Sequence, residues 1–80
     1  MERKEIYEKL KEIFCDVLDV EEVELNDETT ADDIVEWNSL THVQLIFEIE
    51  TGLGLKFSSR EVMQWKNVGQ MVDSIEEKLK

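Results

Sequence analysis

Ile6, Leu10, Ile13, Phe14, Val17 and Leu18 recur at offsets of four, seven, eight, eleven and twelve residues, a spacing that only a helix gathers into one stripe. Glu and Lys fill most of the opposite face, so the pattern predicts a helix over about residues 3–18. The 80 residues include no proline and only three glycines, Gly52, Gly54 and Gly69. That economy suits helices joined by a few loops rather than a sheet punctuated by tight turns. A chain this short makes one domain, 1–80, with one core, and it buries only ~60–65% of the surface its unfolded form exposes. A deep substrate cleft would remove core it can hardly spare.

Residues 19–38 show no sustained period. A structureless connection this long is unusual inside a compact domain. Val20, Val23, Leu25, Ile34 and Val35 are therefore expected to plug the core and tie it down, with Asp19, Asn26, Asp27, Thr29 and Thr30 supplying turn chemistry. A second helix is predicted from Ser39, because Asn38 can accept a bond from a free N–H of the first turn. Leu40, Val43, Ile46, Phe47 and Ile49 are expected on its inner face, and Thr51-Gly52-Leu53-Gly54 should end it. Ser58 to Glu61 reads as a capping box opening a short third helix. Asn67 with Gln70 opens a last one carrying Val68, Met71, Val72, Ile75 and Leu79. The expectation is an all-α four-helix bundle with a short third helix and a long loop between the first two.

Nine basic residues stand against 20 acidic ones, a net charge of −11. A field of that sign repels phosphate backbones and anionic membranes and favours partners with basic docking patches, so nucleic-acid binding is not expected. No apolar run approaches the ~20 residues of a membrane span, and the Met1-Glu2-Arg3-Lys4-Glu5 opening lacks a signal peptide's apolar segment. The lone Cys15 cannot form an internal disulfide and fits a reducing cytoplasm; beside the helix stripe it reads as a half-buried filler. High net charge and the absence of a spare apolar stripe favour a monomer.

Ser39 and His42, three apart, share a helical face and could be read as nucleophile and base. Trp37-Asn38-Ser39-Leu40-Thr41, however, lacks the glycines of a nucleophile elbow and no oxyanion loop is in sight, so no catalytic residue is assigned. His42 is instead expected at the surface, free to touch a partner. The acidic loop lacks the glycine and the register of a calcium loop, and one Cys with one His does not make a zinc site, so no metal is assigned. Trp37 reads as a cover on one end of the core; for Trp65, core and ligand roles weigh about equally.

A serine in the first turn of a helix is well placed to hold an anion, through free N–H groups and the positive end of the helix dipole. Its surroundings are more specific. Glu36-Trp37-Asn38-Ser39-Leu40-Thr41-His42-Val43-Gln44-Leu45-Ile46 closely resembles the attachment site of acyl carrier proteins, which usually show Asp-Ser-Leu at the head of their second helix. The resemblance covers nearly the whole chain, including the long loop, the Ser58-Ser59-Arg60-Glu61 opening and the last helix. The Thr29-Thr30-Ala31-Asp32-Asp33-Ile34 approach and the tryptophan two places before the serine look like discrete, specialised carriers.

The resemblance implies that a phosphopantetheinyl transferase joins the 4′-phosphopantetheine of coenzyme A to Ser39, flanked by Asn38 and Leu40. The arm's thiol would carry an acyl or aminoacyl group as a thioester between enzymes of fatty-acid, lipid or secondary-metabolite synthesis. An acyl or aminoacyl ligase, acyltransferase or synthase with basic patches would meet Glu36, His42, Gln44, Glu48 and Thr51. Family carriers can fold cargo between the second and third helices, where Ile46, Ile49, Phe57, Val62, Trp65 and Met71 would lie. Phe57 and Trp65 are bulky, which suggests a short or polar cargo, or one left outside. The one departure is Asn38 in place of aspartate: equal as a cap, it lacks the charge a transferase would read. That departure is the feature behind the competing reading, an unmodified acidic adaptor that binds partner proteins only.

Overall fold

The computed structural model describes residues 2–79; Met1 and Lys80, the ends of the expected domain, lie outside the described residues. Four helices and no strand are found among the described residues: α1 (Arg3–Leu18), α2 (Ser39–Leu53), α3 (Ser59–Gln64) and α4 (Val68–Lys78). Each boundary follows from local chemistry. Asp19 closes α1 in the left-handed conformation (φ 56°), and Gly54 does the same for α2 (φ 67°). Ser58 accepts from the Glu61 N–H at 3.2 Å while Glu61 accepts from the Ser58 N–H at 3.0 Å. Asn67 accepts from the Gln70 N–H at 2.9 Å, but Gln70 reaches one residue further back, to the Lys66 N–H at 2.7 Å.

α1 packs on α2 and α4 and buries Ile6, Leu10, Phe14 and Leu18. Cys15, Ile13 and Val17 are half-buried at the edges of that stripe, as Cys15 was expected to be. In α2 the buried side chains are Leu45 and Ile49. Leu40, Val43 and Phe47, expected inside, are 62–78 % exposed. The reason is geometric. At 100° per residue His42, Leu45, Ile46, Ile49 and Leu53 share one arc, and Leu40, Val43 and Phe47 occupy the opposite one. α2 is apolar on two sides, and only the first has α1 to bury it.

The 19–38 connection is tied down by Val23, Ile34, Trp37 and Thr29, all buried, with Val20 and Leu25 packed at the margin. Val35, expected as a plug, is 92 % exposed. A single 3₁₀ turn at Ala31–Asp33, whose Asp33 accepts from the Thr30 N–H at 2.9 Å, rotates the chain so that Ile34 and Trp37 point inward instead. The connection then stitches itself to α4. The Val68 N–H donates to the Thr29 carbonyl at 2.8 Å and the Gly69 N–H to the Asp27 carbonyl at 3.1 Å, satisfying two donors that a helix start leaves free. Gly69 is required there, because a Cβ would lie 2.8 Å from the Asp27 carbonyl oxygen and 2.9 Å from its Cβ.

Arg3 locks the same corner. Its guanidinium donates to Asp27 at 2.8 Å, to Asp73 at 2.9 Å and to Glu76, joining the start of α1 to the loop and to α4. Tyr7 donates its hydroxyl to Asp27, and burial together with that bond pushes its pKa up to about 12.

Candidate functional site

The start of α2 rests on a fixed indole. Trp37 is buried edge-to-face against Phe14, ring centres 5.0 Å apart at 86°, and its backbone N–H donates to the Ile34 carbonyl at 3.1 Å. The next residue caps the helix. Asn38 Oδ1 accepts from the N–H of Leu40 at 2.9 Å and of Thr41 at 3.1 Å. Thr41 Oγ1 accepts from the Asn38 N–H at 2.8 Å and donates to the Glu36 carbonyl at 2.9 Å. With the His42 N–H on the Asn38 carbonyl at 2.8 Å, only Ser39's own N–H is left over in the first turn. An anion at Ser39 therefore finds one free amide and the positive helix end, rather than the set of free amides expected from the sequence.

Ser39 itself is exposed, and Leu40 beside it is bare. His42 differs from expectation: it is half-buried, not free at the surface. The indole N–H of Trp37 donates to its Nδ1 at 3.0 Å, and the two rings stack at 28° with centres 5.9 Å apart. Burial holds its pKa below the usual 6.5. No hydrogen bond joins His42 to Ser39, and its Nδ1 is committed to Trp37, so the pair lacks the nucleophile–base contact of a hydrolase.

A half-open cavity of about 310 Å³ lies beside Ser39. Its apolar walls are Trp37, Trp65 and Met71, and its polar groups come from Asn38, Ser39, His42, Lys66 and Asn67. Of the six residues expected to line an acyl pocket, this cavity takes only Trp65 and Met71. Ile49 is fully buried in the core; Ile46, Phe57 and Val62 are half-buried away from it. Phe57 and Trp65 meet edge-to-face, centres 4.8 Å apart at 87°, and the Trp65 indole donates to Ser74 Oγ at 2.9 Å. Lys66 was not singled out from the sequence, since nothing local marks a lysine that the turn between α3 and α4 carries to the serine.

Glu36, Gln44, Glu48 and Thr51 are exposed, and the unexpected stripe of Leu40, Val43 and Phe47 runs alongside them on α2. Among the described residues no group of His, Cys, Asp or Glu side chains is placed to hold a metal, and no helix is long and apolar enough to cross a membrane.

Comparison with known proteins agrees with this geometry. The family described as "Phosphopantetheine attachment site" matches residues 8–75. An acyl carrier protein of Coprothermobacter proteolyticus is 37% identical over 79 residues, covering 99% of this chain and 96% of its own. One from Rubrobacter xylanophilus is 35% identical over 77 residues, with 96% and 95% covered. The solution structure of a holo acyl carrier protein from Geobacter metallireducens superimposes with a TM-score of 0.84 at 39% identity, over 90% of this chain and 83% of that one.

Proposed function

Because the chain belongs to the acyl carrier protein family, with 4′-phosphopantetheine as its cofactor, we propose that Ser39 is the residue that bears the arm. The supporting observation is an exposed hydroxyl at the first residue of α2, directly after a buried Trp37 and a doubly bonded Asn38 cap, with a cavity at its side. The residues present fit the group. The positive end of α2 and the free Ser39 N–H favour the phosphodiester, and Lys66 brings a cation to the cavity wall. The bound group supplies a thiol that holds an acyl or aminoacyl cargo as a thioester. The chain's own residues anchor, orient and present it.

Residues 1–80 act as one carrier domain and as a protein-bound substrate of cytoplasmic enzymes. A phosphopantetheinyl transferase loads the arm, and a ligase, acyltransferase or synthase of a dedicated fatty-acid, lipid or secondary-metabolite route loads and uses the cargo. Two features on α2 and just ahead of it support docking to such enzymes. Glu36 and Glu48 complement basic patches, and Leu40, Val43 and Phe47 form an exposed apolar stripe of the kind that marks an interaction face. No observation favours an unmodified adaptor.

The experiment is an intact mass after incubation with coenzyme A, magnesium and a broad-specificity transferase. Wild type is expected to gain one phosphopantetheine and Ser39→Ala none. Asn38→Asp, which keeps the cap and restores the family's charge, is expected to modify at least as fast as wild type; a slowing would show that the cognate transferase reads the amide.

A further inference from the structure

The indole N–H of Trp37 can only donate, so His42 Nδ1 must accept, and a neutral imidazole then carries its proton on Nε2. Burial also favours the neutral ring. His42 therefore has a defined donor, the Nε2–H, that finds no acceptor among the described residues, on a ring that lines the cavity beside Ser39. No buried side-chain nitrogen or oxygen among the described residues lacks a partner, so the Nε2–H is open to solvent, and an oxygen entering the cavity takes the place of water on it.

The chemistry of the lining narrows the choice. The space, about 310 Å³ and half-open, admits a segment of a flexible chain tethered at Ser39. The arm begins at Ser39 with a phosphodiester, continues through a carbon bearing two methyl groups, then a hydroxyl and an amide carbonyl, and only later reaches its thiol. Two methyls suit the walls made by Trp37, Trp65 and Met71, and the oxygens that follow are acceptors for His42.

We propose that the cavity beside Ser39 seats the first half of the arm, its dimethyl-bearing segment, with the Nε2–H of His42 donating to an arm oxygen and the cargo left outside. The inference rests on Ser39 bearing the arm. Trp37 is then a positioning residue: by occupying Nδ1 it fixes the tautomer that His42 presents.

The test is nuclear magnetic resonance of labelled apo and holo chain, with one phosphopantetheine verified by mass. Long-range nitrogen–proton spectra of the apo chain are expected to show the Nε2–H tautomer of His42, and Trp37→Phe to give a mixture of tautomers. From apo to holo, the His42 imidazole, Trp65 indole N–H and Met71 methyl signals should shift, and loading acetyl or octanoyl groups should move them no further. His42→Phe should lose the holo-dependent shift at Trp65. The Nδ1–H tautomer in wild type overturns the proposal. So does a mass-verified holo chain whose cavity signals coincide with apo, or an octanoyl group that shifts Met71 and Ile49. An unchanged mass refutes Ser39 as the attachment residue itself, an outcome read separately from the spectra.

Discussion

Replacing Gly69 by alanine tests the seam between the loop and α4. The added Cβ would sit 2.8 Å from the Asp27 carbonyl oxygen, 2.9 Å from its Cβ and 3.0 Å from its Cα. These are mostly backbone atoms, in a segment already held by Arg3 and Tyr7, so it cannot yield as a flexible side-chain tip would. Overpacking of this kind costs about 1–3 kcal/mol. Displacing Asp27 also weakens the Gly69–Asp27 and Val68–Thr29 bonds, each contributing about 1 kcal/mol net. Against this, alanine in place of glycine favours a helix by up to about 1 kcal/mol. The expected net loss is about 2 kcal/mol, or roughly 8–16 °C in Tm for a domain of this size. Gly52→Ala is the matched control. Its Cβ meets only Ile13 Cδ1 at 3.7 Å, so helix propensity acts alone and the change should stabilise by up to about 1 kcal/mol. Thermal melts and urea titrations read by far-ultraviolet circular dichroism measure both. If Gly69→Ala leaves Tm unchanged or raises it, the close approach does not control this corner and the reasoning is refuted.

Arg3→Met should destabilise by up to about 1 kcal/mol, because it leaves Asp27, Asp73 and Glu76 facing one another in a chain already at −11; added salt should recover part of the loss in urea titrations. Asn38→Ala should cost about 1 kcal/mol in the same assay, and Asn38→Asp little, since the cap needs only an oxygen acceptor for the Leu40 and Thr41 amides. His42 is held below 6.5 by burial, so the folded state prefers the neutral ring. Its contribution is present above that pH and is lost as pH falls from 6.5 through the folded pKa, where a protonated Nδ1 can no longer accept from Trp37. Stability followed from pH 7 to 5 should fall in wild type and flatten in His42→Gln. Exchanging Val43 and Phe47 for serine should leave Tm within a few degrees, both being exposed, while weakening transferase or ligase binding in titration calorimetry.

Helix boundaries were legible from the sequence because caps are local. Asn38, Gly54, Ser58 with Glu61 and Asn67 act on amides or a backbone angle within a few residues, and all stand where their chemistry places them. Faces were legible only where one side of a helix is polar, as in α1. α2 carries two apolar arcs, and periodicity cannot say which of them α1 covers. Val35 and Trp37 differ in burial because of a 3₁₀ turn three residues long, whose only signature is the Thr30 to Asp33 spacing. Gly69 looked like an ordinary helical glycine, because the carbonyl it must admit belongs to Asp27, forty-two positions earlier. The exposed serine and its cap were local and readable. The cavity was not, since it arises only when the α3–α4 junction comes to rest against the head of α2.

The two loop carbonyls that complete the first turn of α4 also decide how the molecule can loosen. From its far end α4 can fray turn by turn, with Lys78 and Leu79 leading. Its first turn cannot follow until Asp27 and Thr29 let go, and those residues belong to the same connection that delivers Trp37 to Phe14. Helix start, connection and serine platform thus form one cooperative opening unit. The amides of Val68 and Gly69 will exchange with deuterium only when that unit opens, so their protection reports on Ser39's footing from a helix to which Ser39 does not belong.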